Sequence, residues 1–472
     1  MGSGQVTDWQ GKNVTVAGLG VSGVPAAKVL RGLGAKVTVV NDGDDARARE
    51  QAAELEALGV TVRLGDGATL PDGTELIVTA PGWKPDKPLF AAADAAGVPV
   101  WGDVELAWRL RKPGAAPWLA VTGTNGKTTT VQMLASILKA AGLRTAAVGN
   151  IGVSLLDAVL GEEEYDVLAV ELSSYQLHWA PSLRAHSAAV LNLAPDHLDW
   201  HGSMEAYAKD KGRVYEGNRV ACVYNVADKA TEDLVREADV EEGCRAVGFT
   251  LGTPGPSQLG VVEGLLVDRA FVENRHKNAQ ELAEVSDVRP PAPHNIANAL
   301  AAAALARAYG VPAGAVRDGL RAFTPDAHRI AHVADLDGVA YVDDSKATNT
   351  HAAGASLAAY ESIVWIAGGL AKGATFDELV ADSAKRLRGA VLIGRDRALI
   401  REALARHAPE VPVVDLDRTD TGAMLQAVQE AKRLARPGDT VLLAPACASM
   451  DMFANYNKRG DAFAQAVREL GA

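Results

Sequence analysis

The sequence predicts an α/β protein built as three strand–helix series in a row. Three observations carry this: strand-length apolar runs alternate with helical stretches along the chain, glycine turns follow the opening strands of the first two series, and short proline-bearing segments separate the series. Length agrees, because 472 residues exceed one ordinary domain.

The first series opens with NVTVAG, a glycine turn, a helical stretch through Leu33 and the run KVTVVND, which reads as a βαβ unit. Further apolar runs at 61–64, 76–80 and 98–101 complete a small parallel-sheet domain, 1–112, ending at the linker RKPGAAP. The second domain, 113–326, begins with WLAVTG and continues through a helix after Lys127 and the runs TAAVGN, YDVLAVELSS, SAAVLNL and RVACVYN. Between 250 and 293 the pattern weakens. GVVEGLLVD reads as a small hairpin and RHKNAQELAEVSDVRPPAP is polar, so the stretch reads as an insertion of marginal regularity. HNIANALAAAALARAYG is then a helix, with Gly310 just past its end. In the third domain, 327–472, the runs VAYVDD, SIVWIAGG, GAVLIG, PVVDL and DTVLLAP alternate with helical stretches as a doubly wound unit.

Composition excludes several classes. Apolar residues at 48% and charged residues at 22% are ordinary for a globular protein. A net charge of −12, with no Lys/Arg-rich run, argues against a nucleic-acid partner. Cys222, Cys244 and Cys447 lie far apart without a C-x-x-C pair, so neither a zinc site nor a disulfide framework is indicated, and a reducing compartment is expected. The start MGSGQVTDWQ has no basic region followed by an apolar run, and no uncharged apolar stretch reaches about 18 residues. A cytoplasmic protein without membrane insertion is expected.

GTNGKTTT lies between an apolar strand and an amphipathic helix, where helix N–H groups and the helix dipole favour a polyphosphate. Gly123, Thr124, Asn125, Gly126, Lys127, Thr128 and Thr129 form the candidate loop. Lys127 can neutralise the transferring phosphate and Thr128 can offer its hydroxyl to Mg²⁺. The G-x-x-x-x-G-K-[ST] pattern is incomplete, because Val121 stands at its first glycine. Glu171 ends a parallel strand, where a carboxylate is either a metal ligand or a solvated strand-end acid. His197 lies in the loop after the next strand. In the helix from about Ser203, residues Met204, Tyr207, Lys211 and Val214 share one face, so Lys211 points inward and Lys209 does not. Such a lysine either snorkels to water or, with its pKa lowered by burial, becomes a reactive amine.

GLGVSG, with Gly18, Gly20, Val21, Ser22 and Gly23, satisfies G-x-G-x-x-G after a strand, and Asp42 ends the next strand about 20 residues on. Alone, this fingerprint equally supports an NAD-dependent dehydrogenase. A second phosphate loop downstream is what a dehydrogenase does not need. In HNIANA, Asn295 and Asn298 share a helical face and can read an adenine edge; for Asn295 the alternative is helix N-capping.

Taken together, GLGVSG, GTNGKTTT, GNIG, ELSSYQL, DHLDWHGS, HNIANA, DDSKATN, GGLAKG and PACASMDMF resemble, in order and over essentially the whole chain, the Mur ligase family of ATP-dependent amino-acid ligases. GTNGKTTT alone would also admit folylpolyglutamate synthases. DDSKATN and PACASMDMF beside a G-x-G-x-x-G domain point to the members that add D-glutamate to UDP-N-acetylmuramoyl-L-alanine in peptidoglycan precursor synthesis. The resemblance implies a Rossmann-like UDP-binding domain, a central P-loop ATPase domain and a C-terminal Rossmann-like domain. It implies ATP, two Mg²⁺ ions and an acyl-phosphate intermediate, with catalytic roles for Lys127, Glu171, His197 and Lys211. Thr128, Glu171, His197 and a carbamylated Lys211 would hold or support the metals. Gly20, Val21, Ser22, Gly23, Asp42, Ala80, Pro81, Gly82, Asn150 and Ser173 would take the UDP substrate. ATP would also meet Asn295, Asn298, Arg329, Asp344 and Lys346, held by the second and third domains together. Thr348, Lys372, Ser449 and the backbone near Tyr456 would take D-glutamate, although GLAKG departs from the familiar form of that loop. A monomer is expected.

Overall fold

The computed structural model describes residues 8–471. Residues 1–7 of the start MGSGQVTDWQ lie outside the described residues. By internal contacts the chain forms two compact units. One runs through Val288 and includes Ala297–Phe323; the other comprises Arg289–Ile296 and everything from Thr324 onward.

The first unit contains two sheets. The first has β1 (Asn13–Ala17), β2 (Lys36–Asn41), β3 (Thr61–Leu64), β4 (Leu76–Thr79) and β5 (Val100–Gly102), in the order β3-β2-β1-β4-β5 and all parallel. Parallel strands are covered on both faces, which is why β4 reads LIVT with every residue buried. The order reverses between β1 and β4. That switch point opens a crevice at their carboxyl ends, where GLGVSG and Ala80-Pro81-Gly82 stand. Gly23 is required there by space: a Cβ on it would lie 1.8 Å from the Gly18 carbonyl oxygen. The segment 111–117 leads from this sheet to the next, and Glu105, fully buried, binds both the N–H (2.9 Å) and the hydroxyl of Ser182 beyond it. The first two sheets are thereby packed as one unit.

The second sheet has nine strands, ordered β14-β13-β12-β11-β10-β9-β6-β8-β7. They are β6 (Trp118–Thr122), β7 (Ala147–Gly149), β8 (Leu168–Glu171), β9 (Ser187–Val190), β10 (Ala221–Asn225), β11 (Arg245–Phe249), β12 (Gln258–Val262), β13 (Leu265–Asp268) and β14 (Gln280–Glu284). The expectation of marginal regularity across 250–293 is corrected here. β12 and β13 form the hairpin seen in GVVEGLLVD, and β14, from the polar segment, extends it antiparallel at the sheet edge. An edge strand with one wet face needs few apolar residues, so β14 (QELAE) buries only Leu282 and Ala283.

The second unit is built on a six-stranded sheet, β15-β16-β20-β17-β18-β19. Its strands are β15 (Ala331–Leu336), β16 (Val339–Asp343), β17 (Ile363–Gly368), β18 (Leu387–Ile393), β19 (Val413–Asp415) and β20 (Thr440–Leu443). Five are parallel and doubly wound; β15 adds an antiparallel edge that the apolar pattern did not announce. Among the described residues no helix is long and apolar enough to cross a membrane.

Candidate active site

The missing glycine at Val121 has a structural reason. Val121 is fully buried inside β6, paired with Glu171 of β8, and the turn begins only at Gly123, with φ +150°. Gly126 then takes φ +85° as the N-cap of the helix Lys127–Ala140. A Cβ on Gly126 would lie 2.4 Å from Asn298 Oδ1, so the Asn298 amide packs directly on the loop. Asn192, just past β9, fixes the loop from the other side: its Oδ1 accepts from Asn125 N at 2.9 Å and its Nδ2 donates to Asn125 O at 3.1 Å.

Two lysines converge on one carbonyl. Lys127 Nζ donates to Gly123 O (2.8 Å) and Thr124 O (2.9 Å), and Lys211 Nζ also donates to Gly123 O at 2.8 Å. Two ammonium groups so close repel by about 3 kcal/mol at an effective dielectric near 20. Lys211 is 1% exposed, and burial, reinforced by the Lys127 charge, pushes its amine well below the ordinary lysine value. The inward direction read from its helical face is what the structure shows, with Lys209 exposed.

The carboxylate of Glu171 is 2% exposed; Oε1 accepts from Asn150 Nδ2 at 2.9 Å, while Oε2 is buried without a hydrogen-bond partner. Leaving a carboxylate oxygen orphaned costs about 1–3 kcal/mol unless a cation meets it. His197 sits at φ +55°, its ring 4.9 Å from Tyr175 and Nε2 3.5 Å from Asp196 Oδ2. Burial, with the Lys127 and Lys211 charges, lowers its pKa against the pull of Asp196, so the ring is held neutral, as a metal ligand must be. Thr128, half-buried in the first helical turn, completes the donor set. Among the described residues no three His, Cys, Asp or Glu side chains form a ready-made metal cage; the orphaned Glu171 oxygen and the Thr128 hydroxyl suit Mg²⁺, an oxygen-seeking ion that keeps few protein ligands when phosphates supply the rest.

Lys211 is aimed by its helix, Met204–Gly212, which Ser203 caps through Ala206 N at 3.1 Å. The preceding residue, Asp210, locks the register. It bonds His178 Nδ1 (2.9 Å), His201 Nδ1 (3.0 Å) and Arg213 Nε (3.2 Å), and His201 Nε2 reaches Ser174 Oγ at 2.9 Å. Burial would raise the Asp210 carboxyl, but the two histidine hydrogen bonds outweigh it and hold the group at about 2.

At the switch point of the first sheet lies a cavity of about 540 Å³, lined by Val21, Ser22, Ala80, Pro81, Gly82 and Asp103 on one side and by Asn150, Ile151 and Gln176 on the other. Asn150 also binds Glu171 through its side chain and, at 3.0 Å, through its backbone N–H, so this cavity is tied to β8, the strand beside β6 and its phosphate loop. Ser22 Oγ donates to Asp103 Oδ2 at 3.0 Å; burial raises the Asp103 carboxyl, opposed by Ser22. Asp42 is not among the lining residues: it ion-pairs with Lys87 at 2.5 Å. Gly20, with open space at its Cβ position, is half-buried beside the exposed Val21, and Ser173 caps the helix Ser174–His178 through Gln176 N at 3.2 Å.

The remaining predicted residues belong to the second unit. The loops after β16, β17 and β20 meet at one sheet edge: Leu370 bridges Ala448, and Ala446 N donates to Ala347 O at 2.9 Å. These loops carry Lys346 and Thr348, Lys372, and Ser449 respectively. Lys372 is exposed at φ +50°, Ser449 is 4% exposed, and Lys346 Nζ lies 4.1 Å above the Tyr456 ring. Tyr456 O accepts from Ser345 Oγ at 2.8 Å. Burial pushes the Asp344 carboxyl up to about 6, with Ser356 Oγ and Ile330 N as partners. Arg329 lies 3.9 Å from Asp326. Asn295 is the third residue of the helix Pro293–Ala308, not its cap, and its Nδ2 donates to Pro290 O at 3.3 Å.

Sequence reasoning missed Asn192, Asp196 and Asp103. Asp196 was visible beside His197 in the quoted DHLDWHGS; Asn192 and Asp103 gave no local signal, since their partners lie 67 and 81 residues away.

Three family models match the chain. Residues 121–306 match the Mur ligase middle domain and 328–447 the Mur ligase, glutamate ligase domain; 13–75 match a pyridine nucleotide-disulphide oxidoreductase model, which covers only the first sheet's opening βαβ region. Curated relatives include the UDP-N-acetylmuramoylalanine--D-glutamate ligases of Streptomyces coelicolor, 90% identical over 99% of this chain and 100% of that one, and of Thermobifida fusca, 60% identical over 98% and 99%. Among solved structures, MurF from Acinetobacter baumannii matches 91% of this chain and 90% of its own at a TM-score of 0.58, and a pseudomurein peptide ligase type C from Methanothermus fervidus matches 97% and 100% at 0.57. Both are 17% identical and speak to the fold alone. By sequence over nearly its full length, the chain belongs to the Mur ligase family.

Proposed function

We propose that this chain is an ATP-dependent ligase that joins D-glutamate to UDP-N-acetylmuramoyl-L-alanine through an acyl phosphate, in the cytoplasm and as a monomer. The observation that carries this reading is the Asn150–Glu171 bond at 2.9 Å. It joins a diphosphate-sized cavity at a Rossmann-type switch point to the strand beside a phosphate loop. A nucleotide-linked carboxylate and a γ-phosphate can therefore be brought face to face. The 90% identity to a D-glutamate ligase supports the choice of amino acid over other acceptors.

The chemistry follows from the charges. The γ-phosphate and the substrate carboxylate are both anions, and their approach requires cations between them. Lys127 supplies one at the loop. Thr128, Glu171 and His197 would hold two Mg²⁺ ions, which when bound spread the charge of the transferring phosphoryl group. Lys211, whose burial favours the neutral amine, can add to CO₂ and lose a proton, turning that amine into a carbamate anion that would support the metals. The substrate carboxylate oxygen attacks the γ-phosphorus as the bond to ADP breaks. The D-glutamate amine then attacks the acyl carbon and phosphate departs. Asn150 and Ser173 would orient the substrate carboxylate, and Gly20, Val21, Ser22 and Gly23 would take the diphosphate with Asp42, Ala80, Pro81 and Gly82 beside the nucleoside. Asn295, Asn298, Arg329, Asp344 and Lys346 would bind ATP, while Thr348, Lys372, Ser449 and the Tyr456 backbone would bind D-glutamate. Domain limits at 112/113 and 326/327 belong to the same reading.

Phosphate release with UDP-N-acetylmuramoyl-L-alanine and a panel of amino acids tests it. Release should depend on D-glutamate; release driven by L-lysine or diaminopimelate and not by D-glutamate would overturn the proposal.

A further inference from the structure

We infer that Cys222 and Cys244 form an oxidation site, a thiol pair that a hydroperoxide converts into an intramolecular disulfide. The two residues are 22 apart in sequence and both are free thiols. Parallel pairing places Cys222 of β10 opposite Ala246 of β11. Cys244 stands immediately before β11, two residues ahead of Ala246. The two Sγ atoms are 3.9 Å apart. A disulfide needs about 2.05 Å, so the two sulfurs must close by roughly 2 Å to form the bond.

The two thiols are unequal. Cys222 is 2% exposed, whereas Cys244 is partly open to solvent. The hydrogen bond from Cys222 and the N–H of Arg245 hold the Cys244 thiol below its ordinary value, and the same thiol–thiol contact with burial pushes Cys222 up. Cys244 is thus the accessible nucleophile and Cys222 the resolving partner.

In the first step the Cys244 thiolate attacks one peroxide oxygen. The O–O bond breaks, leaving a Cys244 sulfenic acid and an alcohol or water that takes a proton. In the second, the Cys222 sulfur attacks the Cys244 sulfur; the S–S bond forms, the S–O bond breaks, and the hydroxyl leaves as water with the Cys222 proton. Two thiols lose two electrons and the peroxide gains them. The bond closes a loop around the helix Lys229–Glu237, at the entry ends of β10 and β11. That edge is opposite the phosphate loop, so the disulfide is a staple in the sheet and leaves the reacting groups untouched.

The test treats the full chain with hydrogen peroxide, blocks remaining thiols under denaturing conditions and maps peptides by mass. The expected result is one cross-linked pair, Cys222 with Cys244, lighter by two hydrogens, with Cys447 still alkylated and the link reversed by dithiothreitol. Cys222→Ser should remove the link and leave a Cys244 sulfenic acid that dimedone traps, while Cys447→Ser should retain the link. Cys222 still alkylatable beside an over-oxidised, intermolecularly linked or unreacted Cys244 would overturn the inference.

Discussion

Lys211 and Arg459 are both basic side chains 1% exposed, yet they are satisfied in opposite ways. Arg459, in the helix Tyr456–Leu470, donates from Nε to Ser345 Oγ (3.0 Å), from Nη1 to Cys447 O (3.0 Å) and from Nη2 to Ser345 O (2.9 Å). Burial lowers it only to about 10, so it stays charged and ties together the loops after β16 and β20. Lys211 shares its carbonyl acceptor with a second ammonium, lies 4.6 Å over the Tyr207 ring, and is driven towards neutrality. Burial therefore does not distinguish a structural cation from a chemical one. Saturation of its hydrogen bonds does, because a saturated group is fixed and an unsaturated one is poised for a ligand.

Substitutions in the phosphate loop, at Arg459 and at Glu171 separate chemical from structural burial. The largest effect is expected for Lys127→Ala, which removes the loop's cation: kcat should fall about 10³-fold, as for loss of a principal phosphate clamp, with thermal unfolding little changed. Arg459→Met keeps much of the volume but strands the Ser345 and Cys447 carbonyls, so chemical denaturation should show a loss of about 3 kcal/mol. An Arg459→Met protein as stable as the parent would remove the contrast. Glu171→Gln is the smallest. The amide keeps the acceptor for Asn150 and relieves an orphaned charge, so stability should hold or rise while kcat drops about 10²-fold. Equal activity in Glu171→Gln would take this carboxylate out of the metal site.

Much of the site was legible because it is local. Loop, strand-end acid and helix face each occupy a few consecutive residues, and the 3.6-residue period alone separated Lys211 from Lys209. Strands buried on both faces announced themselves as unbroken apolar runs. What stayed hidden depended on pairing across the chain. β14 and β15 are edge strands with mixed composition; the Cys222–Cys244 approach exists only through strand register; and the Asn125–Asn192 exchange joins residues 67 apart. Asn295 was open between cap and ligand because helix boundaries depend on the residues before them, and Pro293 starts this helix two positions earlier.

Lys211 is proposed to be buried for chemistry and not for the fold. Phosphate release by Lys211→Ala, measured with both substrates and with added short carboxylic acids, tests it most directly. Activity should fall by about two orders of magnitude or more and be partly restored by a small carboxylate occupying the vacated space, with unfolding unchanged. Activity equal to the parent, or a loss explained wholly by unfolding, would contradict it.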